Sequence, residues 1–273
     1  MDITTYTNEK MIAETVSRTK CLVLDMDGTI YLSDTPIGDM INTLKFCRDK
    51  GIGIYYFTNN SSKTQDEYVK KLKRIGFYDE RDTVYTSAMA TIGYINANYP
   101  GKTVYAVATD PVKQAFANGG LNLVEENADI VLLAYDTTVT FEKFKKANEM
   151  IVRGATYIAT HPDVVCPTDD IYMPDVGSYI KLLEASTGGK LPDAIIGKPN
   201  SLAGNEIVRA TGLKPEEITM VGDRLHTDIA FGVNSGFNTI LVLSGESTLE
   251  TLEKSPVKPT ILMNDLNEIV KYL

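Results

Sequence analysis

Leu24-Asp25-Met26-Asp27-Gly28-Thr29-Ile30-Tyr31 is the stretch that decides the fold. It grows out of the apolar run Cys21-Leu22-Val23-Leu24, so two carboxylates sit at the carboxyl end of a buried strand. In an open α/β sheet that edge is where ligands bind, in the crevice beyond the strand ends. A carboxylate placed there can attack phosphorus and carry the group covalently. A second carboxylate two residues on can reach the leaving-group oxygen as a general acid. Gly28 allows a sharp turn, and Thr29 offers a hydroxyl that can hold a carboxylate in place. At ordinary residue usage, Asp-x-Asp-Gly-Thr arises by chance about once in 10⁵ start positions. A plain acidic strand-to-turn junction is therefore the weaker reading.

Outward from this stretch, short β-rich runs alternate with amphipathic segments, the pattern of a parallel α/β sheet. The spacing predicts strands over 20–25, 52–57, 83–86, 103–108, 129–134, 156–160, 193–197, 218–222 and 239–243. Helical periodicity runs over 37–50, 64–75, 140–153 and 200–212. Gly51 and Gly76 stand where helix C-caps belong, and Thr64 with Glu67 reads as a capping box. Chemistry-bearing loops fall at 25–29, 58–62, 198 and 222–228. The long gap between the second and third holds enough strands and helices for a domain of its own. The expected architecture is a Rossmann-like doubly wound parallel sheet core built from 1–82 and 191–273, with an α/β cap domain inserted over 83–190.

Composition narrows the class. The 273 residues suffice for one large or two modest domains, and 43% hydrophobic with 23% charged residues is ordinary for a globular protein. A formal net charge of −9 argues against nucleic acid or an anionic membrane as partner. No stretch approaches the roughly 20 apolar residues of a membrane span. Residues 1–20 are polar and lack the apolar region of a signal peptide. Three cysteines without C-x-x-C spacing suggest neither a disulfide framework nor a zinc site. A cytoplasmic protein is expected, and association into a homo-oligomer stays open. An acidic protein that handles phosphate esters must supply positive charge locally, which a divalent cation and one well-placed lysine would do.

The remaining loops supply such parts. Thr58-Asn59-Asn60-Ser61-Ser62 follows a strand and precedes a helix start, where hydroxyls, amides and backbone N–H groups form an anion site. Lys198 lies between Gly197 and Pro199, which fix the backbone on both sides, after the apolar run Ala194-Ile195-Ile196. An ammonium there would offset the repulsion between an aspartate and an incoming phosphate. Asp223 and Asp228 bracket a turn after strand 218–222, and a few carboxylates suffice for Mg²⁺, which keeps several waters. Asp228 fits equally well as a direct ligand and as a support for the ligands. His226 lies in the spacer and reads as an exposed loop residue.

Taken in this order, the loops resemble the haloacid dehalogenase superfamily of phosphatases, and most closely its NagD-like and p-nitrophenyl phosphatase subfamily with a large inserted cap. The resemblance runs from Lys20 over almost the whole chain and includes Thr86-Ser87-Ala88-Met89-Ala90-Thr91, Ile158-Ala159-Thr160-His161-Pro162-Asp163 and Leu241-Val242-Leu243-Ser244-Gly245. It implies that Asp25 is the nucleophile and a Mg²⁺ ligand, and that Asp27 is the acid/base, its carbonyl also touching the metal. It further implies that Thr58 and Asn59 bind the phosphoryl group, Lys198 steadies it, and Asp223 is a metal ligand. Relatives often have asparagine where this chain has His161, and vitamin B6 phosphatases of the subfamily carry histidine where it has Cys166. Substrate choice is expected in His161-Pro162-Asp163-Val164-Val165-Cys166-Pro167, through His161, Asp163 and Cys166. The expected activity is Mg²⁺-dependent hydrolysis of small phosphomonoesters, such as sugar phosphates or nucleoside monophosphates, through an aspartyl-phosphate.

Two other classes fit part of the pattern. A receiver-like switch module also uses an acidic pocket, a hydroxyl loop and a lysine, but Asp27 supplies the acid/base that fast turnover needs. A nucleotide-dependent oxidoreductase would need a glycine-rich turn after the first strand, where this chain has Asp-Met-Asp-Gly.

Overall fold

The structure, a computed structural model, describes residues 6–167 and 171–273. Six strands form one sheet in the order Ile261–Met263, Asn238–Val242, Ile218–Gly222, Cys21–Leu24, Gly53–Thr58, Thr83–Thr86. Cys21–Leu24 is buried along its whole length, as its unbroken apolar run requires of a strand covered on both faces. It pairs parallel with Gly53–Thr58 on one side and Ile218–Gly222 on the other. The chain leaves this central strand in one direction and, much later, returns in the other. The order therefore reverses between Cys21–Leu24 and Ile218–Gly222, a topological switch point at which doubly wound sheets bind ligands.

Alternation along the strands sets two faces. Leu22, Leu24, Ile54, Tyr56 and Val221 pack with Met40, Leu44 and Cys47 of helix Met40–Asp49 and with Leu72 of helix Gln65–Arg74. On the other face Phe57 meets Phe231 at 5.1 Å between ring centroids. Helices thus cover both sides, and the core is a doubly wound α/β sheet. Gly51 and Gly76 follow two of these helices with φ of +84° and +82°.

The chain divides into two compact units, one within Met1–Thr58, Asp66–Tyr85 and Pro199–Leu273, the other within Asn59–Gln65 and Thr86–Lys198. The second unit has its own parallel sheet, ordered Ala194–Ile195, Thr156–Ala159, Ile130–Leu133, Thr103–Val107, Asn122–Leu123. Helices Phe141–Val152 and Val176–Ser186 bury Ala147, Ile151, Val176 and Leu183 against Val131, Leu133 and Tyr157. An antiparallel ribbon, Val165–Pro167 with Tyr172–Pro174, precedes the second of these helices.

Two segments lie elsewhere than their sequence position suggests. The sequence places the strand over 193–197 in the core segment that begins at 191, yet Ala194 and Ile195 pair with Ile158 and Ala159 in the second sheet. Ile196 and Gly197 extend the ladder onto the carbonyls of Ala159 and Thr160, at 3.1 and 2.7 Å. The loop 59–62 also belongs to the second unit: the Tyr135 N–H donates to Ser61 Oγ at 2.8 Å, and Ser61 shares a hydrogen bond with Thr160. Among the described residues, no helix is long and apolar enough to cross a membrane.

Candidate active site

In the first unit, Asp25 follows the central strand and its N–H donates to Val221 O at 2.9 Å, prolonging the ladder past the strand end. The chain then turns tightly: the N–H groups of Thr29 and Ile30 return to Met26 O, and Gly28 donates to Tyr31 O. Gly28 has φ +84°, and a Cβ there would lie 2.6 Å from Asp223 Oδ2. Only glycine meets both demands. Asp27 stands exposed in this turn, and Asp25 is half-buried.

Asp223 follows the neighbouring strand and is almost fully buried. Thr29 Oγ1 donates to its Oδ1 at 3.2 Å and the Glu246 N–H to its Oδ2 at 2.8 Å. Asp228 lies in a single π-helical turn, Leu225–Ile229, and accepts from the Arg224 N–H at 3.1 Å. Carboxylate oxygens of Asp25, Asp223 and Asp228 all come within 4.8 Å of one another. Burial, and then the Asp25 charge, push the Asp223 carboxyl above its ordinary range. Clustered carboxylates in such a place resist ionisation until a cation compensates them. An all-oxygen donor set at this spacing fits a hard divalent cation. Thr58 ends strand Gly53–Thr58, half-buried.

The second unit assembles another group. Asn59 is buried, and its amide is engaged on every side. It donates to Lys198 O at 2.9 Å and to Asp163 Oδ2 at 3.0 Å, and accepts from the Lys198 N–H at 2.9 Å. Gly197 makes this approach possible, since a Cβ there would lie 2.5 Å from Asn59 Oδ1. Lys198 is only 2% exposed, which sets it apart from a solvated surface lysine. His161 is fully buried, so it is not open to direct contact at the surface, while Asp163 and Cys166 are partly exposed. Asn60 Nδ2 reaches Cys166 Sγ at 3.9 Å.

The structure thus joins Asp25, Asp223 and Asp228 in one cluster, and Asn59, Lys198, Asp163 and His161 in another. Sequence reasoning missed the Glu246 N–H and Asp175. The first was legible in outline, because the loop 243–247 follows the strand beside Ile218–Gly222. The second was not: Asp175 meets His161 only through the folding of the intervening ribbon.

A doubly wound α/β sheet with a carboxylate trio at its switch point places an all-oxygen donor set where such sheets bind ligands. Residues 22–122 match the family described as haloacid dehalogenase-like hydrolase, and 195–269 match one described as HAD-hydrolase-like. The chain belongs to the haloacid dehalogenase-like hydrolases. An acid sugar phosphatase of Staphylococcus aureus is 35% identical over 255 residues, 93% of this chain and 98% of that protein. The crystal structure of a 4-nitrophenylphosphatase from Thermotoga maritima matches with TM-score 0.89 and 39% identity, covering 94% of this chain and 98% of that one. A p-nitrophenyl phosphatase from Archaeoglobus fulgidus matches with TM-score 0.86 and 30% identity, covering 93% and 99%.

Proposed function

We propose that the protein is a Mg²⁺-dependent phosphatase that hydrolyses small phosphomonoesters, sugar phosphates or nucleoside monophosphates, through an aspartyl-phosphate on Asp25. The observation that carries this reading is the convergence of Asp25, Asp223 and Asp228 oxygens within 4.8 Å at the switch point. The similar proteins named acid sugar phosphatase and 4-nitrophenylphosphatase supply the substrate class. Asp25, Asp223 and the carbonyl of Asp27 would hold Mg²⁺, with Asp228 as a further ligand or a brace through the Arg224 N–H. Bound there, the cation supplies charge that offsets the phosphoryl oxygens and the carboxylates together.

Asp25 attacks phosphorus, and the leaving alcohol takes a proton from Asp27, whose exposure lets it exchange protons with water. Asp27 then removes a proton from the water that cleaves the aspartyl-phosphate. Thr58 offers its hydroxyl to a phosphoryl oxygen and Asn59 its backbone N–H, because the Asn59 amide is held by Lys198 and Asp163. The Lys198 ammonium adds local positive charge to a protein of net charge −9. The 83–190 insertion acts as the cap, and its segment 161–167 tells leaving groups apart, with Asp163 and Cys166 as the accessible members and His161 behind them. None of the three cysteines forms a disulfide among the described residues, which fits a reducing, cytoplasmic setting.

Asp25→Asn tests the reading. It keeps the shape of the side chain and removes the nucleophile, so phosphate release from p-nitrophenyl phosphate should fall at least about 10⁴-fold with the melting temperature little changed. EDTA should abolish turnover of the parent enzyme, and added Mg²⁺ should restore it. Release within tenfold of the parent, or full activity in EDTA, contradicts the proposal.

A further inference from the structure

Inside the second unit, His161 is fully buried, and neither ring nitrogen has a hydrogen-bond partner among the described residues. Each nevertheless faces a carboxylate oxygen: Nδ1 lies 3.5 Å from Asp163 Oδ2, and Nε2 lies 3.6 Å from Asp175 Oδ1. Asp163 Oδ2 also accepts from Asn59 Nδ2 at 3.0 Å, and Asn59 holds both the N–H and the carbonyl of Lys198. Asp175 is buried and also caps helix Val176–Ser186, accepting from the Val176 N–H at 2.6 Å. A continuous chain of polar groups therefore runs from the start of that helix to the backbone of Lys198.

Proton counting gives this chain a direction. A neutral imidazole has one N–H, and here it faces two carboxylates. Both contacts are favourable only if one further proton is present, either on Asp175 or on the imidazole. We propose that Asp175 and His161 are positioning residues for phosphoryl binding: a protonated Asp175 fixes the His161 tautomer that turns Nδ1–H toward Asp163, and Asp163 in turn sets the Asn59 amide that fastens Lys198. The proposal rests on the reading of Asn59 and Lys198 as phosphoryl-binding residues.

The surroundings support the protonated acid. Burial, and the nearby Asp163 charge, raise Asp175 to about 7 against the pull of the Val176 N–H. Burial lowers His161 to about 4, with Asp163 opposing and Lys198 adding to the effect. Among the described residues, the other titratable groups that feel Asp175 are Cys166, Tyr135 and Tyr179. Burial raises all three, so they stay neutral near pH 7. Above pH 7 Asp175 loses its proton and draws Nε2–H to itself. The Nδ1 lone pair then faces Asp163, which loosens its hold on Asn59.

Inorganic phosphate, as a competitive inhibitor of p-nitrophenyl phosphate turnover with Mg²⁺ present, reads this directly. Asp175→Asn cannot ionise, so its side chain stays uncharged at every pH, as the protonated acid is. The ratio of inhibition constants, parent over Asp175→Asn, cancels the ionisation of phosphate itself. It should be near one at pH 6 and rise roughly three- to tenfold by pH 8.5, what one hydrogen bond is worth. His161→Phe should weaken phosphate by a similar factor at pH 6, and Asn59→Ala at least as much. A ratio that stays flat with pH overturns the proposal even if the His161 variant does not fold. So does a folded His161→Phe that binds phosphate normally while Asn59→Ala does not. Unchanged phosphate affinity in Asn59→Ala overturns the underlying assignment of Asn59, and the proposal with it.

Discussion

Asp223 is held at both ends of its carboxylate, by the Thr29 hydroxyl on Oδ1 and the Glu246 N–H on Oδ2. Two glycines press on the same group: a Cβ on Gly28 or Gly245 would lie 2.6 or 2.1 Å from Oδ2. The Asp223 carboxylate is therefore aimed by backbone and by one hydroxyl, with little room to swing. Groups that orient a metal ligand typically contribute about 10- to 100-fold in metal affinity or activity. Thr29→Val keeps the buried shape and removes the donor, so the Mg²⁺ concentration for half-maximal activity should rise about tenfold or more. A metal titration of phosphate release checks this, and an unchanged midpoint would show the hydroxyl to be idle. At this scale the sequence was informative wherever chemistry follows a strand end. Asp25, Thr29, Asp223 and Lys198 all drew attention from their neighbours in the chain. Asp175 did not, because its partner His161 is close in space and distant in sequence.

Elements are joined by a buried ion pair that no local pattern announces. Arg48, on helix Met40–Asp49, donates from Nε and Nη2 to both oxygens of Asp82, at 2.8 Å each. Its Nη2 also reaches Tyr56 Oη at 2.9 Å, on strand Gly53–Thr58, and Phe77 O at 2.8 Å. Helix, strand and the 77–82 connection are thereby pinned around one guanidinium. Desolvation opposes its charge, yet Asp82 and its neighbours hold it above its ordinary range. Removing one partner leaves the other charge buried and uncompensated, so Asp82→Ala should destabilise by about 3–5 kcal/mol. The double variant Arg48→Met, Asp82→Leu should recover much of that loss, and urea unfolding of the three proteins measures both. Most strands and the four periodic helices were legible from apolar spacing, to within a few residues at their ends. The π-turn around Asp228 and the ribbon Val165–Pro167 with Tyr172–Pro174 were not. Neither has a periodic signature, and each depends on tertiary partners.

At the scale of the molecule, the two side-chain clusters lie in different compact units. The carboxylate trio lies in the first, while Asn59, Lys198 and the His161 cluster lie in the second. The sequence order of motifs hid this division, because 59–65 and 191–198 adjoin core segments in the chain yet pack with the second sheet. A ligand stabilises only what it binds, by an amount fixed by its concentration relative to its dissociation constant, about 2.7 kcal/mol at a hundredfold excess. Mg²⁺ should therefore slow amide exchange locally, by up to about 100-fold where opening releases the metal. Protection is expected in peptides covering 25–30, 223–229 and 244–247, whose backbones surround Asp25, Asp223 and Asp228. Peptides covering 134–139 and 175–177 of the second unit should exchange alike with Mg²⁺ and with EDTA. Hydrogen exchange followed by mass spectrometry resolves these segments in the intact protein. Equal protection in both sets would mean that the metal acts on the whole chain, and protection in neither would remove the trio from consideration as its site.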